Sequence, residues 1–446
     1  MAEIRPFYGV HYATSDANEL AKVVSAPYDI ISPEAQRDYY LRHPHNVVRL
    51  ELGFEEADDR PGRDRYSRAA ATYREWRQTG VLQADARPSF YLIEEAFIEQ
   101  GQSLRRRSLF APVRLARWDE NVVLPHEFTM SGPKVDRLNL LRATRTQFSP
   151  LLAMYDDPGA ISEVLNEVVQ EQPTMELRLA PGAVATAAES QRIWSITMPD
   201  HLNSLVEAFR SLPLYIADGH HRYETALAYR DEMRRLGATA DAPSEYVLMA
   251  MVESSDPGLL VLPTHRLLNG LAKIDRSRTR MELGKHFEVD DIPWTSEAGL
   301  RDVLASLVTT GRPAFVVLGL QDGICQRLVL HPAVDLERVL PSVPEVLRGV
   351  DTVVLQKLIF EPLLGLTEHD IEAGERIFYT RSVNEAVATL QSGEAQLVFF
   401  LKPTTIDQIR TAARAGQRMP QKSTYFYPKP VTGLLFFDHT ANPKLG

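Results

Sequence analysis

The chain has 446 residues, enough for two or three domains by the usual length rule. Hydrophobic residues at 44% and charged residues at 24% are globular proportions and exclude a largely disordered chain. With 49 Lys+Arg against 59 Asp+Glu the formal charge is −10, and there is no long basic run, so a nonspecific nucleic-acid coat is excluded and no nucleic-acid partner is expected.

In chain order, the start Met1–Pro6 lacks a basic region followed by an apolar core, so no signal peptide is expected. Asp29 follows Tyr28 in Ala26-Pro27-Tyr28-Asp29, and Asn46, Arg49 and Glu51 come shortly after. Helical spacing predicts a helix over Arg63–Thr79 with Gly80 as its stop, then a strand over Phe90–Phe97. Helices are predicted over Ile161–Gln172 and Leu202–Leu212, with the Pro/Gly/Ala-rich stretch Leu179–Ala188 as a loop between them. A strand over Leu214–Ala217 feeds a helix over Gly219–Leu236, closed by Gly237. Strands follow over Tyr246–Val252 and Leu259–Leu262.

A break is expected near residues 268–285, where Lys273, Arg276, Arg278 and Arg280 read as a solvated helix face. Beyond it come strands Ala314–Leu320, Arg327–Leu330 and Ala395–Leu401, and helices Val343–Leu364, Val383–Gln391 and Ile406–Ala415. The lone cysteine, Cys325, excludes a disulfide framework, a cysteine zinc site and an iron–sulfur cluster. Apolar runs such as Leu397–Leu401 are far too short to span a bilayer, so a soluble, cytoplasmic protein with no membrane partner is expected. The alternation reads as mixed α/β (α+β) in two parts, residues 1–270 and 271–446. The second part is either a separate domain or the closing half of the same site.

The most informative segment is Leu214–Ala226. An apolar strand ends in Asp218-Gly219 and a helix opens at once with His220-His221-Arg222-Tyr223. Asp218 is the expected N-cap, and Gly219 lets a ligand approach the backbone. The first turn of a helix leaves N–H groups unpaired and carries partial positive charge, so it attracts anions, and Arg222 can grip phosphate oxygens with two N–H groups. Adjacent histidines point about 100° apart on a helix, which makes them a poor metal pair. The plain alternative is a common Asp-Gly turn with solvated basic residues.

The run Ala217–Ala226 resembles the hallmark of domain-of-unknown-function family 1015. The likeness extends to Ala26–Ile31, Asn46–Leu50, His126-Glu127, Lys134–Leu138 and Met419–Lys429, and so covers essentially the whole chain. More distantly, Gly219-His220-His221-Arg222 and Ala226 resemble the Gly-x-x-Arg-x-x-x-Ala pattern of the ParB/sulfiredoxin superfamily. That resemblance implies a phosphate-binding core elaborated with further strands and helices. Sulfiredoxin chemistry needs a cysteine where this chain has His220, and a partition protein needs a basic DNA-reading domain. The branch similar to free-serine kinases survives.

Two further clusters carry chemistry. Around His126 and Glu127, a polar loop leads to a helix with Ser131 as its expected N-cap, on which Lys134, Arg137, Leu138, Leu141 and Arg145 share one arc. The cationic heads either reach an anionic ligand or cover apolar surface with their stems. In the run Gln421–Lys429, Lys422, Ser423 and Thr424 are candidates for phosphate contact, and the aromatics for stacking or core packing. Walker A, Gly-x-Gly-x-x-Gly, His-Glu-x-x-His and Gly-x-Ser-x-Gly patterns are absent.

The reading is phosphoryl transfer from a nucleotide, ATP or ADP, to a small hydroxyl metabolite such as L-serine. The phosphates would lie at Gly219–Arg222, and Mg²⁺ is expected with the nucleotide. Asp29, Glu51 and Asp218 are the candidate carboxylates, with Asp29 the choice of base, and His220 or His221 would shuttle a proton. Phosphoserine-type hydrolysis in the same pocket and a nucleotide sensor without chemistry are the alternatives.

Overall fold

Runs of residues buried on both faces, such as Leu151–Tyr155 and Tyr246–Val252, form strands because β-branched, aromatic and other apolar side chains pack well on a pleated surface. The structure, a computed structural model, describes residues 1–129, 131–184, 188–271, 275–294 and 296–444. It divides into two units. The first comprises Met1–Pro125, Thr129–Leu260 and Phe426–Gly446; the second comprises His126–Phe128 and Val261–Tyr425. Both units mix helices and strands, so the chain is of the mixed α/β class. Among the described residues, no helix is long and apolar enough to cross a membrane.

The first unit holds an eight-stranded sheet. Its strands are β1 (Phe90–Glu99), β2 (Gln102–Arg114), β3 (Val123–Leu124), β4 (Leu151–Tyr155), β5 (Met175–Arg178), β6 (Ser190–Ile196), β7 (Leu214–Asp218) and β8 (Tyr246–Glu253), in the order β3-β7-β4-β8-β2-β1-β6-β5. β7 runs parallel to β3 and antiparallel to β4, with Ile216 opposite Ala153. Helix Ala160–Val168 buries Ile161, Val164, Leu165 and Val168, one stripe at helical spacing, against the sheet core. Each such side chain contributes about 1.5–3 kcal/mol. Helix Ser131–Thr144 packs between helices Arg65–Gln78 and His220–Arg235.

The second unit is a six-stranded antiparallel sheet. Strands β9 (His265–Leu268), β10 (Phe287–Pro293), β11 (Ala314–Gln321), β12 (Ile324–Leu330), β13 (Ile377–Thr380) and β14 (Leu397–Leu401) lie in the order β10-β12-β11-β14-β9-β13. Helices Glu297–Val308 and Val383–Gln391 cover one face through Leu300, Leu307, Ala386 and Val387. Arg276 and Arg280 of the basic patch form exposed ion pairs with Asp322 and Asp291; Lys273 lies outside the described residues, as do residues 185–187 of the expected loop.

Two local expectations need correction. Val343–Leu364 is two helical stretches and not one: Glu345–Arg348 ends at Gly349, and a second stretch continues from Asp351–Leu355 through a π-helical turn, Gln356–Phe360, into Glu361–Leu364. Gly349 supplies the break, and Pro362, which lacks an N–H to donate, follows the π-helical turn. Asp218 does not cap the helix that follows it. It is the last residue of β7, the N-cap is Gly219, and no side chain caps the helix.

Candidate functional site

The turn from β7 into helix His220–Arg235 depends on Gly219, whose φ of 98° is left-handed. L-residues pay about 1–2 kcal/mol for that conformation. The space a Cβ would take is already occupied, because the Arg222 guanidinium would lie 3.1–3.2 Å from it. Arg222 therefore folds back over the glycine. The helix is anchored by Tyr223, whose hydroxyl donates to Ala116 O at 2.8 Å and accepts from Ala116 N at 3.0 Å, while its ring stacks on Trp118.

Asp218 receives two cations. Arg222 Nη2 donates to Oδ2 at 2.9 Å, and Lys429 Nζ donates to Oδ1. Burial works to raise the Asp218 carboxyl, but Lys429 and Arg222 overcome it and hold the group well below the usual carboxylate range, with His220 acting in the same direction. Arg222 Nη1 also donates to Pro150 O at 2.5 Å and to Ser149 Oγ at 3.3 Å. Ser149 Oγ in turn donates to Glu51 Oε1 at 2.9 Å. Arg137 pairs with that carboxylate at 3.2 Å, donates to Glu51 O at 2.9 Å, and pairs with Asp136 at 2.5 Å.

The Arg137 guanidinium lies 3.9 Å from the centre of the Tyr28 ring. Burial pushes the Tyr28 hydroxyl up to about 12, so it stays protonated at neutral pH. Glu51, Arg137, Ser149, Arg222 and Thr225 line a cavity of about 50 Å³. Ligand pockets usually measure about 300–1,000 Å³, so this one has room for a few waters or a phosphate-sized group rather than a whole nucleotide.

The structure thus brings Glu51, Arg137, Asp218 and Arg222 into one hydrogen-bonded network of the first unit, with Gly219 beneath the Arg222 guanidinium. His220 is buried in the first turn of the helix, and the His221 carbonyl accepts from Thr225 Oγ1 at 2.8 Å. Lys134 spends its ammonium on Glu224 at 2.9 Å and on Thr129. Asp29 is exposed beside Tyr28, and no ion pair among the described residues includes it. Ser131 opens its helix, but its side chain is outside the described set, so its capping role is not assigned.

The remaining candidates belong to the second unit. His126 Nε2 meets Thr424 Oγ1 at 2.9 Å, Glu127 Oε1 accepts from Lys422 N at 3.0 Å, and Ser423 Oγ shares a hydrogen bond with Thr352 at 2.8 Å.

Two first-unit residues, Ser149 and Lys429, escaped selection from the sequence. Lys429 was visible at the end of the Gln421–Lys429 run, but nothing local linked it to Asp218, 211 positions away. Ser149 carries no local signal.

Mg²⁺ fits these residues poorly as a protein-held ion. It usually needs open carboxylate oxygens. Asp218 is held by two cations, and Glu51 by Arg137 and Ser149. Among the described residues, the group of three carboxylates close enough to share an ion is Glu56, Asp58 and Asp59, where Asp59 is already paired with Arg68.

A family model described as "Protein of unknown function (DUF1015)" matches residues 4–353. The chain belongs to this family. No curated protein matches it. Among solved structures, it is similar to a conserved hypothetical protein from Pyrococcus furiosus at 14% identity and TM-score 0.34, covering 75% of this chain and 96% of that one. It is also similar to a free serine kinase in complex with AMP, at 14% identity and TM-score 0.35, covering 73% and 91%. A third is SbnI with a C-terminal truncation from Staphylococcus aureus, at 12% identity and TM-score 0.33, covering 72% and 84%.

Proposed function

We propose that the Asp218–Arg222 turn binds a phosphate group, and that the protein transfers phosphate from a nucleotide to a small hydroxyl metabolite, with L-serine the first acceptor to test. One observation carries the reading: Arg222 and Lys429 converge on a single carboxylate at the start of a sixteen-residue helix that no side chain caps. Two cations against one anion leave a positive excess, and the helix dipole adds to it. An incoming phosphate would compete with Asp218 for Arg222 and Lys429.

In this reading, the ParB/sulfiredoxin-like pattern Gly219–Arg222 with Ala226 is the phosphate grip. Asp29, exposed at the edge of the cluster, is the carboxylate left to orient or deprotonate the acceptor, and His220 or His221 is the proton carrier. Any Mg²⁺ would arrive with the nucleotide phosphates. Catalysis would then rest on positioning and charge stabilisation.

Hydrolysis of a phosphomonoester such as phosphoserine is a second reading, favoured by the phosphate-sized cavity of about 50 Å³. Phosphorus NMR separates them. With Mg²⁺, serine and ATP or ADP, a kinase gives a new phosphoserine signal that Arg222→Ala abolishes; free phosphate from phosphoserine alone marks a phosphatase. Silence with both substrates would remove serine chemistry and leave nucleotide sensing.

A further inference from the structure

The helical stretch Asp351–Leu364 of the second unit widens at the π-helical turn Gln356–Phe360. Pro362 gives the reason: without an N–H it cannot bond to the carbonyl four residues back, Leu358 O. Glu361 closes the wider turn, its N–H bonding to Gln356 O. Turns of this kind are frequent at functional sites.

Glu361 also fixes the side chain that opens the turn. Its Oε1 accepts from Gln356 Nε2 at 3.1 Å and from Lys357 Nζ at 2.7 Å. A carboxylate paired with an ammonium only accepts, so the nitrogen of the Gln356 amide faces Glu361 and Oε1 faces away from it. Gln356 is 8% exposed, and its Oε1 accepts no hydrogen bond from the described residues. Buried polar atoms are normally paired, so this oxygen stands out. It is not sealed in the core, because Gln356 lines a cavity.

That cavity measures about 760 Å³ and lies within the second unit. Small-molecule pockets usually measure about 300–1,000 Å³. Buried Val343, Leu347 and Val353 give it an apolar wall, and Phe128 lines it while remaining 58% exposed. Ser342, Pro344 and Gly416 are exposed and also line it, so it opens to solvent. Lys357 and Arg418 bring cationic side chains to the lining.

We propose that this cavity binds a nucleobase, carried by a nucleoside or nucleotide, with an amino N–H on the ring edge donating to Gln356 Oε1. A neutral carboxamide oxygen suits an uncharged donor, and the apolar wall and Phe128 suit the faces of a planar ring. Lys357 and Arg418 suit the phosphate oxygens of a nucleotide. The binding does not depend on the helix start of the first unit.

Equilibrium dialysis of labelled adenosine against the full chain tests it, because adenosine carries no phosphate for the first unit to hold. Saturable binding is expected, weakened about three- to tenfold by Gln356→Met, which keeps the volume and removes the acceptor. Phe128→Ala, at an exposed position, is expected to weaken it about fivefold or more and serves as the test if the buried change prevents folding. A parallel arm uses AMP with Arg222→Ala, in which the first unit's site is disabled. Tighter binding of AMP than of adenosine would add the phosphate to the group recognised; equal or weaker binding would limit recognition to the nucleoside. Absence of saturable binding in both arms would overturn the proposal. So would unchanged affinity in a folded Gln356→Met chain, or in Phe128→Ala where Gln356→Met does not fold.

Discussion

At Gly219, one hydrogen atom in place of a methyl group decides how the site is built. Gly219→Ala forces an L-residue to φ 98° and sets its Cβ against the Arg222 guanidinium. We expect a loss of about 1–2 kcal/mol from the backbone alone, read as a lower urea midpoint, together with weaker phosphate-ligand binding because Arg222 is displaced. An unchanged midpoint would show that the turn relaxes freely. Asp218, Gly219 and Arg222 were legible in the sequence because they lie within five residues and follow an apolar strand. Asp218 was misassigned as a cap because Lys429 competes for its carboxylate from 211 positions away, and no local rule sees that distance.

The helix His220–Arg235 is positioned by its Tyr223 anchor as much as by its own hydrogen bonds. Tyr223→Phe leaves both Ala116 backbone groups buried without their partner, a cost of about 1–3 kcal/mol. Urea unfolding should register that loss with the helix content retained; a neutral substitution would mean that the hydroxyl contributes nothing to holding the helix start.

Elements with a clean apolar pattern were legible to within a few residues, among them Phe90–Glu99 and Val383–Gln391. Strand Gln102–Arg114 was not, because Arg105, Arg106 and Arg107 look like a solvated run. In the sheet they pair with carboxylates of the neighbouring strand, Arg106 with Glu95 and the other two with Glu94, so charge complementarity replaces apolar patterning.

At the scale of the whole molecule, two of the buried histidines among the described residues should shape the response to acid. His439 in the first unit and His265 in the second are each pushed down to about 4 by burial. The unfolded chain takes up these protons first, near the ordinary value of about 6.5. Their contribution to stability is therefore complete above about pH 6.5 and is lost as the pH falls toward 4. His439→Gln should flatten the urea midpoint over that window by removing one of the two contributions; an identical pH slope would refute this account of acid sensitivity. The separation into two units, with residues 426–446 returning to the first, follows from long-range pairing such as Asp438 with Thr146 that local patterning does not reveal.

In the proposed function, the helix start after β7 grips an anion through Arg222. Calorimetric titration of ATP into the wild-type chain and into Arg222→Ala, with circular dichroism to establish that the variant is folded, tests it most directly. We expect saturable binding that weakens by about tenfold or more in the variant. Equal affinity in a folded Arg222→Ala chain would contradict it.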